Sequence, residues 1–332
     1  MQHDDDAFCA YCTAFERWSL IRHASNPSGS ALPMQPPPPK PRRRAWVTLL
    51  SHEAYYPGVQ ALYNSLQVAD TEHPLVVMLT SAITAETRSK LAALGDAVEL
   101  RDVEALPLPC GTGGRPQYAC AHFADCWLKL RMWEWEPDFE LLCYLDADML
   151  LLKNMDELLE STPPPLGIRA VPECGCVSGR GDGRCYYVEP RRARRYFNAG
   201  LLVLAPSAAL LRTMLTSLSA CDLSEFTYAE QDFLNAFFRN AWDALPWGYN
   251  ATKGLYAKHR ETVWELSKVR NLHYTMAKPW NLRDACHKGY EQLNELWRAA
   301  FVDPRSLTRV TLRAVLQEKK ARMGSREASE RP

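Results

Sequence analysis

The sequence predicts an α/β fold with a mixed, mostly parallel sheet and helices on both faces. Short apolar runs, typical of buried strands, occur at 45–50, 75–79 and 141–145. Segments with apolar residues at helical spacing follow the first two runs, at 56–68 and 84–94. Strands that alternate with helices in this way usually pair in parallel, because each helix returns the chain to the same end of the sheet.

The remaining elements are predicted from the same periodicities and from helix stop signals. Pro57 lies near the start of the first helix, where proline is tolerated, and Gly95 can end the second. Residues 163–196 contain many arginines and no clear period, so we expect irregular structure there. The other expected elements are strands at 98–100, 200–204 and 269–274, and helices at 121–134, 207–218, 230–239 and 290–301.

The domain organisation is predicted to be one domain, residues 45–303, between two tails. The first 44 residues include a Pro-rich stretch that ends near four consecutive prolines, 36–39, which favours extended polyproline geometry without a core. Residues 304–332 are strongly charged towards their end, which predicts a helical or frayed tail.

Composition excludes several function classes. Apolar residues make up 47% of the chain and charged residues 23%, as in globular proteins. Thirty-nine basic residues balance thirty-nine acidic ones, so no positive excess favours nucleic acid. No apolar run is long enough for a membrane span, and the acidic N-terminus differs from a secretory signal. Eleven cysteines are then best interpreted as free thiols, which predicts a cytoplasmic protein.

An Asp-x-Asp pair is the sharpest chemical feature of the sequence. Asp146 and Asp148 follow the apolar run at 141–145, where ligands of open α/β sheets bind. Two carboxylates at this spacing can hold a divalent cation, although a solvated turn or a helix cap has the same pattern. His273 follows another strand and can complete such a site, and Lys278 can reach a phosphate. Taken alone, a histidine at a strand end is more often an ordinary hydrogen-bonded residue than a ligand.

Two further polar segments adjoin predicted elements. Asn198 lies just before the predicted strand at 200–204 and Gly200 at its start, which suits close approach of a ligand or an ordinary turn. Glu230 and Gln231 begin an apolar helix, where negative charge also stabilises the helix dipole.

Cysteine and arginine clusters give weaker signals. Cys174, Cys176 and Cys185 have the residue type of a zinc site, but a fourth ligand at an expected spacing is missing. Cys9 and Cys12 have no partner pair. The arginines of 191–195 are typical of a solvated face or of the border of an anionic ligand.

Six segments, taken in order, resemble glycosyltransferase family 8, the nucleotide-sugar enzymes that include glycogenin and plant galactinol synthase. They are residues 46–49, 127–134, 144–148, 196–200, 229–235 and 273–280. The segment 229–235 and the cysteine-bearing insert at 173–196 resemble the galactinol-synthase branch. Thr275, Met276 and Ala277 replace the Gly-Ser element expected in that branch before Lys278, so the resemblance leaves the acceptor open.

The resemblance implies a Rossmann-like GT-A fold and a retaining hexosyl transfer from a UDP-sugar, with Mn²⁺ or another divalent cation. Residues 45–303 would be the catalytic domain. Carried over by position, the implied metal ligands are Asp146, Asp148 and His273. Those implied at the nucleotide and diphosphate are Leu49, Ser51, Tyr55, Asp146, Ala147 and Lys278, and those implied at the reacting sugar are Lys129, Asn198, Glu230 and Gln231.

Several functions share these residues. The main hypothesis is transfer of glucose or galactose to a polyol, saccharide or protein, by same-face attack assisted by the departing phosphate. Glu230 is the residue to test as nucleophile or sugar-positioning group. A self-glucosylating primer is one form of this transfer. A catalytically silent glycosyltransferase-like scaffold and a nucleotide-sugar hydrolase are the alternatives. No nucleic-acid partner is expected, and the resemblance allows a homodimer.

Overall fold

The structure is a computed structural model that describes residues 42–109, 118–120, 122–164, 167–178, 185–190, 195–239, 241–281 and 287–329. The Pro-rich tail, Cys9, Cys12 and the arginines at 191, 192 and 194 lie outside these residues.

Two sheets organise the described chain. The strands are β1 (Arg43–Leu50), β2 (Leu75–Leu79), β3 (Val98–Asp102), β4 (Phe139–Leu145), β5 (Met149–Leu151), β6 (Ile168–Pro172), β7 (Phe197–Leu204), β8 (Trp242–Ala244), β9 (Ala251–Thr252) and β10 (Asn271–His273). The larger sheet has the order β3-β2-β1-β4-β7-β6-β8, and β5-β10-β9 form a small one. In the larger sheet only β7 runs against its neighbours. The predicted mixed, mostly parallel α/β fold is therefore confirmed.

Helices cover both faces of the larger sheet. They are α1 (Tyr56–Val68), α2 (Ala85–Ala92), α3 (Phe123–Cys126), α4 (Glu157–Glu160), α5 (Gly175–Ser178), α6 (Ala208–Ser219), α7 (Glu230–Phe237), α8 (Lys253–His259), α9 (Glu291–Val302) and α10 (Leu307–Ser329). The 3₁₀ helices are Glu53–Tyr55, Trp127–Trp135, Leu223–Glu225, Trp247–Asn250, Leu266–Lys268 and Pro304–Ser306. No helix in the described ranges combines the length and the apolar character that a bilayer crossing requires.

The cores follow from the alternation of side chains along the strands. In β1, Val47 packs into the core on one face, with α6 and α7, and Trp46 packs into the other, with α1. A third core lies beneath the small sheet and includes Leu296 of α9 and Leu307 at the start of α10. The start of the C-terminal segment is thus packed against the domain.

The predicted helix at 121–134 needs correction, because only α3 is an α-helix and the chain continues as a 3₁₀ helix. Residues three apart share a face of a 3₁₀ helix, and two of the three faces here are buried. Those faces consist of Trp127, Leu130 and Trp133, and of Lys129, Met132 and Trp135. The three-residue repeat therefore directs Lys129 into the interior.

Two further expectations were wrong. The segment 163–196, expected to be irregular, contains β6 and α5. Asn198 lies within β7 instead of before the strand, because Val171 of β6 pairs with Asn198 and the amide of Asn235 binds both backbone polar groups of Phe197. These strand limits depend on distant partners.

Candidate active site

A cavity of about 410 Å³ opens where β1 and β4 end. All twelve residues predicted for the site line it, namely Leu49, Ser51, Tyr55, Lys129, Asp146, Ala147, Asp148, Asn198, Glu230, Gln231, His273 and Lys278. The fold thus brings together residues that are more than 200 positions apart in the chain. Their individual roles stay predictions.

The Asp-x-Asp turn is held by backbone contacts on two sides. The backbone N–H of Asp146 donates to the carbonyl of Gly200, 2.9 Å away, which fixes the end of β4 to β7. Gly58 of α1 touches the backbone of Ala147 so closely that any Cβ there would overlap its carbonyl oxygen. A glycine is therefore required for α1 to pack against the turn.

Asp146, Asp148 and His273 present three donor atoms to one point. Their ligand atoms all lie within 4.8 Å of one another. His273 Nε2 is 3.3 Å from Asp148 Oδ1 and 3.6 Å from Asp146 Oδ2. Ligands at right angles around a small divalent cation stand about 3 Å apart. The spacing and the chemistry of this donor set therefore fit a divalent cation such as Mn²⁺.

An amide fixes the tautomer of His273. Its Nδ1 lies 2.8 Å from the Oδ1 of Asn250, whose own Nδ2 donates to the Oδ1 of Asn198 at 2.9 Å. This second bond orients the Asn250 amide, so the oxygen faces His273 and Nδ1 carries the hydrogen. Nε2 then keeps its lone pair towards the two carboxylates, as a metal ligand must.

Lys278 lies beside Asp148, and its Nζ donates to Asp148 Oδ2 and, at 3.1 Å, to the carbonyl of Tyr274. Burial alone would raise the pKa of Asp148, but the Lys278 ammonium and His273 outweigh it and hold that pKa well below its usual range. Asp148 is therefore ionised and available as a ligand at neutral pH.

Lys129 is a buried cation between two carboxylates. Only 3% of it is exposed, and its Nζ lies 3.0 Å from Asp146 Oδ1 and 2.8 Å from Glu230 Oε1. Burial would lower the pKa of Lys129, but Asp146 and Glu230 more than compensate and raise it well above its usual value. Burial conversely raises the pKa of Glu230, and Lys129 offsets part of that shift. Lys129 is therefore a fixed ammonium in the cavity wall, paired with both carboxylates.

Sequence reasoning missed two polar residues of this wall. Glu173 Oε2 accepts a 2.7 Å hydrogen bond from Asn198 Nδ2, so a line of hydrogen bonds runs from Glu173 through Asn198 and Asn250 to His273. Burial raises the pKa of Glu173. Neither Glu173 nor Asn250 belongs to a motif, and their value as partners appears only when β6, β7 and the 3₁₀ helix Trp247–Asn250 come together.

The start of α7 is anchored to β7 under backbone strain. Gln231 accepts from the backbone N–H of Ala199 at 2.9 Å and donates to the hydroxyl of Tyr196 at 3.0 Å. Ala229, just before α7, has φ = 46°, a conformation that costs a non-glycine residue about 1–3 kcal/mol. This anchoring sets where Glu230 enters the cavity.

Aromatic rings form the rim on the side of Tyr55. Its ring lies 5.7 Å from that of Trp280 and 5.8 Å from that of His122, and Lys278 Nζ lies 5.8 Å from its centre. Flat apolar surfaces of this kind suit a nucleobase. His122 also lines the cavity at this rim, and the sequence did not single it out.

Comparison with known proteins assigns most of the chain to one enzyme family. A family model described as "Glycosyl transferase family 8" matches residues 47–283. Galactinol synthase 4 of Arabidopsis thaliana is 32% identical over 259 residues, which cover 72% of this chain and 74% of that protein. Galactinol synthase 1 of Solanum lycopersicum is 32% identical over 245 residues, covering 71% and 73%.

Solved structures agree in fold. The galactosyltransferase LgtC, in complex with donor and acceptor sugar analogues, aligns with a TM-score of 0.56 and 22% identity, covering 77% of this chain and 95% of that one. The glycosyltransferase GlyE of Streptococcus pneumoniae TIGR4 aligns with a TM-score of 0.55 and 17% identity, covering 80% of this chain and 62% of that one. At these identities the likeness concerns the fold.

Proposed function

Since the chain belongs to glycosyltransferase family 8, we propose that it transfers a hexosyl group from a UDP-sugar to a hydroxyl acceptor with the help of a divalent cation. Family membership makes the chain a glycosyltransferase, and its relatives make it a hexosyltransferase. The metal, the nucleotide, the sugar and the acceptor are the proposed part.

The observation that carries the proposal is the convergence of Asp146, Asp148 and His273 beside Lys278 in a cavity large enough for a nucleotide-sugar fragment. Bound there, Mn²⁺ would supply positive charge to the diphosphate oxygens of the donor. Lys278, held beside Asp148, is placed to share that role as a compact ammonium. A scaffold without catalysis would have no need of this set.

The residues around the uridine and the hexose are assigned from the family resemblance and from their place in the cavity wall. Leu49, Ser51 and Tyr55 form the side proposed for uridine, and Asn198 and Gln231 the side proposed for the hexose. Asn198 and Gln231 are themselves held by hydrogen bonds, so their positions are set before the donor binds. The negative charge that leaves with the diphosphate develops next to the fixed cations of the cavity, where water is partly excluded.

Glu230 is proposed to face the reacting sugar as nucleophile or positioning group. Its Oε1 lies 2.8 Å from Lys129 Nζ, and this salt bridge offsets part of the burial effect that raises the pKa of Glu230. Glu230→Gln should lower kcat by about 100-fold or more. Glu225→Gln, an exposed acid five residues upstream, is the matched control. Near-normal turnover by Glu230→Gln would remove Glu230 from this role.

The donor and acceptor proposed first are UDP-galactose and a polyol such as inositol, because two relatives that are 32% identical to the chain are galactinol synthases. The purified chain is incubated with Mn²⁺, UDP-galactose or UDP-glucose, and a panel of polyols and saccharides. UDP release and the glycoside product are measured together by chromatography, with and without EDTA. We expect product with a polyol and a strong loss of product in EDTA.

The same assay separates the alternatives. UDP release with free sugar and no glycoside indicates a hydrolase, and an increase in the mass of the protein itself indicates a self-glycosylating primer. No turnover with either donor and any acceptor would support the silent scaffold and overturn the proposal.

A further inference from the structure

A second group of metal-ligating side chains lies outside the hydrogen-bond network of the cavity. Cys174, Cys176, Cys185 and His259 place their ligand atoms within 4.8 Å of one another. Cys174 Sγ and Cys185 Sγ are 3.7 Å apart, and His259 Nε2 lies 3.2 Å from the first and 3.3 Å from the second. His259 is the fourth ligand that spacing along the sequence did not reveal.

These distances match the edges of a zinc tetrahedron. With Zn–S bonds of about 2.3 Å and Zn–N bonds of about 2.0 Å, tetrahedral geometry separates two sulfurs by about 3.8 Å and a sulfur from a nitrogen by about 3.5 Å. The 3.7 Å sulfur separation agrees with this, and the sulfur–nitrogen separations are slightly shorter. A disulfide, by contrast, needs its sulfurs about 2.05 Å apart.

The surroundings suit a closed structural site. Cys174, Cys185 and His259 are buried, and only Cys176 is exposed. The hydroxyl of Thr262 lies 3.4 Å from His259 Nδ1 and can accept a hydrogen from that nitrogen, which leaves the lone pair of Nε2 directed at the sulfurs. Three sulfurs and one imidazole in a tetrahedron are the donor set that zinc prefers over the harder cations.

We propose that Cys174, Cys176, Cys185 and His259 bind one structural Zn²⁺ ion. The three thiols lose their protons on binding, and no oxidation or reduction is involved. The ion fastens the segment around α5 to the end of α8, two regions that are about 80 residues apart in the chain.

The zinc site also borders the cavity through one residue. Cys174 directly follows Glu173, and the backbone N–H of Cys174 donates to Glu173 Oε1 at 3.1 Å. Loss of the ion should therefore loosen Glu173 and, through Asn198, the cavity wall. The site itself does not depend on the proposed transfer reaction.

Metal content tests the proposal directly. The full chain is produced with zinc in the medium, purified under reducing conditions without chelator, and analysed by plasma mass spectrometry. We expect about one zinc per chain in the wild type. Cys174→Ser and His259→Asn should lose it, with lower thermal midpoints. Cys221→Ser, a buried cysteine whose thiol donates to the Ser217 carbonyl at 3.1 Å, should retain it.

Two further variants keep the test decisive. Cys176→Ser changes the exposed ligand, which is the least disruptive to folding, and should weaken zinc binding by about 10–100-fold. Asp148→Asn should leave zinc content unchanged. If Asp148→Asn loses its zinc and Cys174→Ser retains it, the metal belongs to the cavity and the proposal is overturned.

Two other outcomes would also overturn it. One is wild-type protein without zinc, and the other is a Cys174–Cys185 disulfide found by alkylation and mass spectrometry in the reduced preparation. Substitution by Co²⁺ gives an independent readout, since thiolate-to-cobalt charge-transfer bands are expected in the wild type and should be lost in Cys174→Ser.

Discussion

The described residues hold two clusters of metal-ligating side chains that differ in donor type and in closure. Asp146, Asp148 and His273 offer two hard oxygens and one nitrogen, and they face an open cavity. Cys174, Cys176, Cys185 and His259 offer three soft sulfurs and one nitrogen, the four donors that a closed tetrahedral site needs. Three donors in a cavity leave coordination positions for a substrate, whereas four closed donors leave none. This difference agrees with the two proposals, an exchangeable ion for chemistry at the aspartate cluster and a permanent structural ion at the cysteine cluster.

The largest expected effect comes from removing a charge at the open cluster. Asp148→Asn should lower kcat/KM by about 10³-fold, because the proposed cation loses a carboxylate and Lys278 loses its partner. Steady-state kinetics with UDP-sugar measure this. Asp138→Asn is the matched control. Asp138 lies directly before the first residue of β4, at the end away from the cavity, and pairs with Arg101 in a salt bridge at the surface. Equal activities of the two variants would contradict the assignment of the open cluster.

A steric change tests the geometry of the open cluster without changing its donors. A Cβ on Gly200 would lie 2.5 Å from His273 Cε1 and 2.8 Å from Asp146 Oδ2. Gly200→Ala should therefore displace the ligands and lower kcat by about 100-fold, the usual cost of a 1 Å misplacement. Zinc content and circular dichroism should be those of the wild type. Activity within about twofold of the wild type would show that the ligands adjust freely.

The positioning role of Asn250 predicts a smaller effect, confined to metal affinity. Asn250→Ala should raise the Mn²⁺ concentration needed for half-maximal activity by about 10-fold, because His273 loses the acceptor for its Nδ1 hydrogen. Excess Mn²⁺ should restore part of the rate. Asn250→Asp keeps that acceptor and should shift the Mn²⁺ dependence less. A purely structural role would lower the rate without moving the metal dependence.

A partly exposed ion-pair cluster around Glu99 should give the smallest effect. Glu99 pairs with Arg43 at 2.9 Å and with Arg101 at 2.6 Å. Burial acts to raise the pKa of Glu99, but the two arginines outweigh it and lower that pKa. A carboxyl with a lowered folded pKa stabilises the fold above its unfolded pKa, and this contribution disappears as the pH falls through the folded pKa.

Glu99→Gln should therefore reduce the free energy of unfolding by about 0.5 kcal/mol at pH 7. The difference from the wild type should shrink as the pH falls below about 4. Urea unfolding at pH 7 and at a pH below about 4 measures this difference in the free energy of unfolding. Glu86→Gln is the control, because Glu86 forms a more exposed pair with Lys90. An equal loss at both pH values would show that the effect is not ionic.

Local pattern predicted the elements whose limits are set by local forces. Helix α1 and strand β2 begin and end where their apolar periodicity does. Strand β6 was missed, because its pairing with β7 and β8 is decided by partners far along the chain. The 3₁₀ helix was missed for a related reason, since helical spacing of three and of 3.6 residues is hard to separate over two turns.

The same division applies to the two clusters. The resemblance to a family identified residues that prove to line one cavity, since its motifs carry their order along the chain. Asn250 and His259 had no motif around them, and each gains its meaning only from a contact made more than 20 residues away. Single amides and imidazoles are too common in sequences to be selected without that contact.

The reversed direction of β7 has a consequence for how this scaffold can change. Because β7 runs against β4 and β6, it contributes its beginning, Asn198 to Gly200, to the edge where its neighbours contribute their ends. Asn198 pairs with Val171 of β6, and the carbonyl of Gly200 accepts from the backbone N–H of Asp146 at the end of β4, so this part of the wall is tied to both neighbouring strands. Tyr55, His122 and Met276 line the cavity from outside the strands, so changes there should disturb the fold less than changes at Asn198 or Gly200.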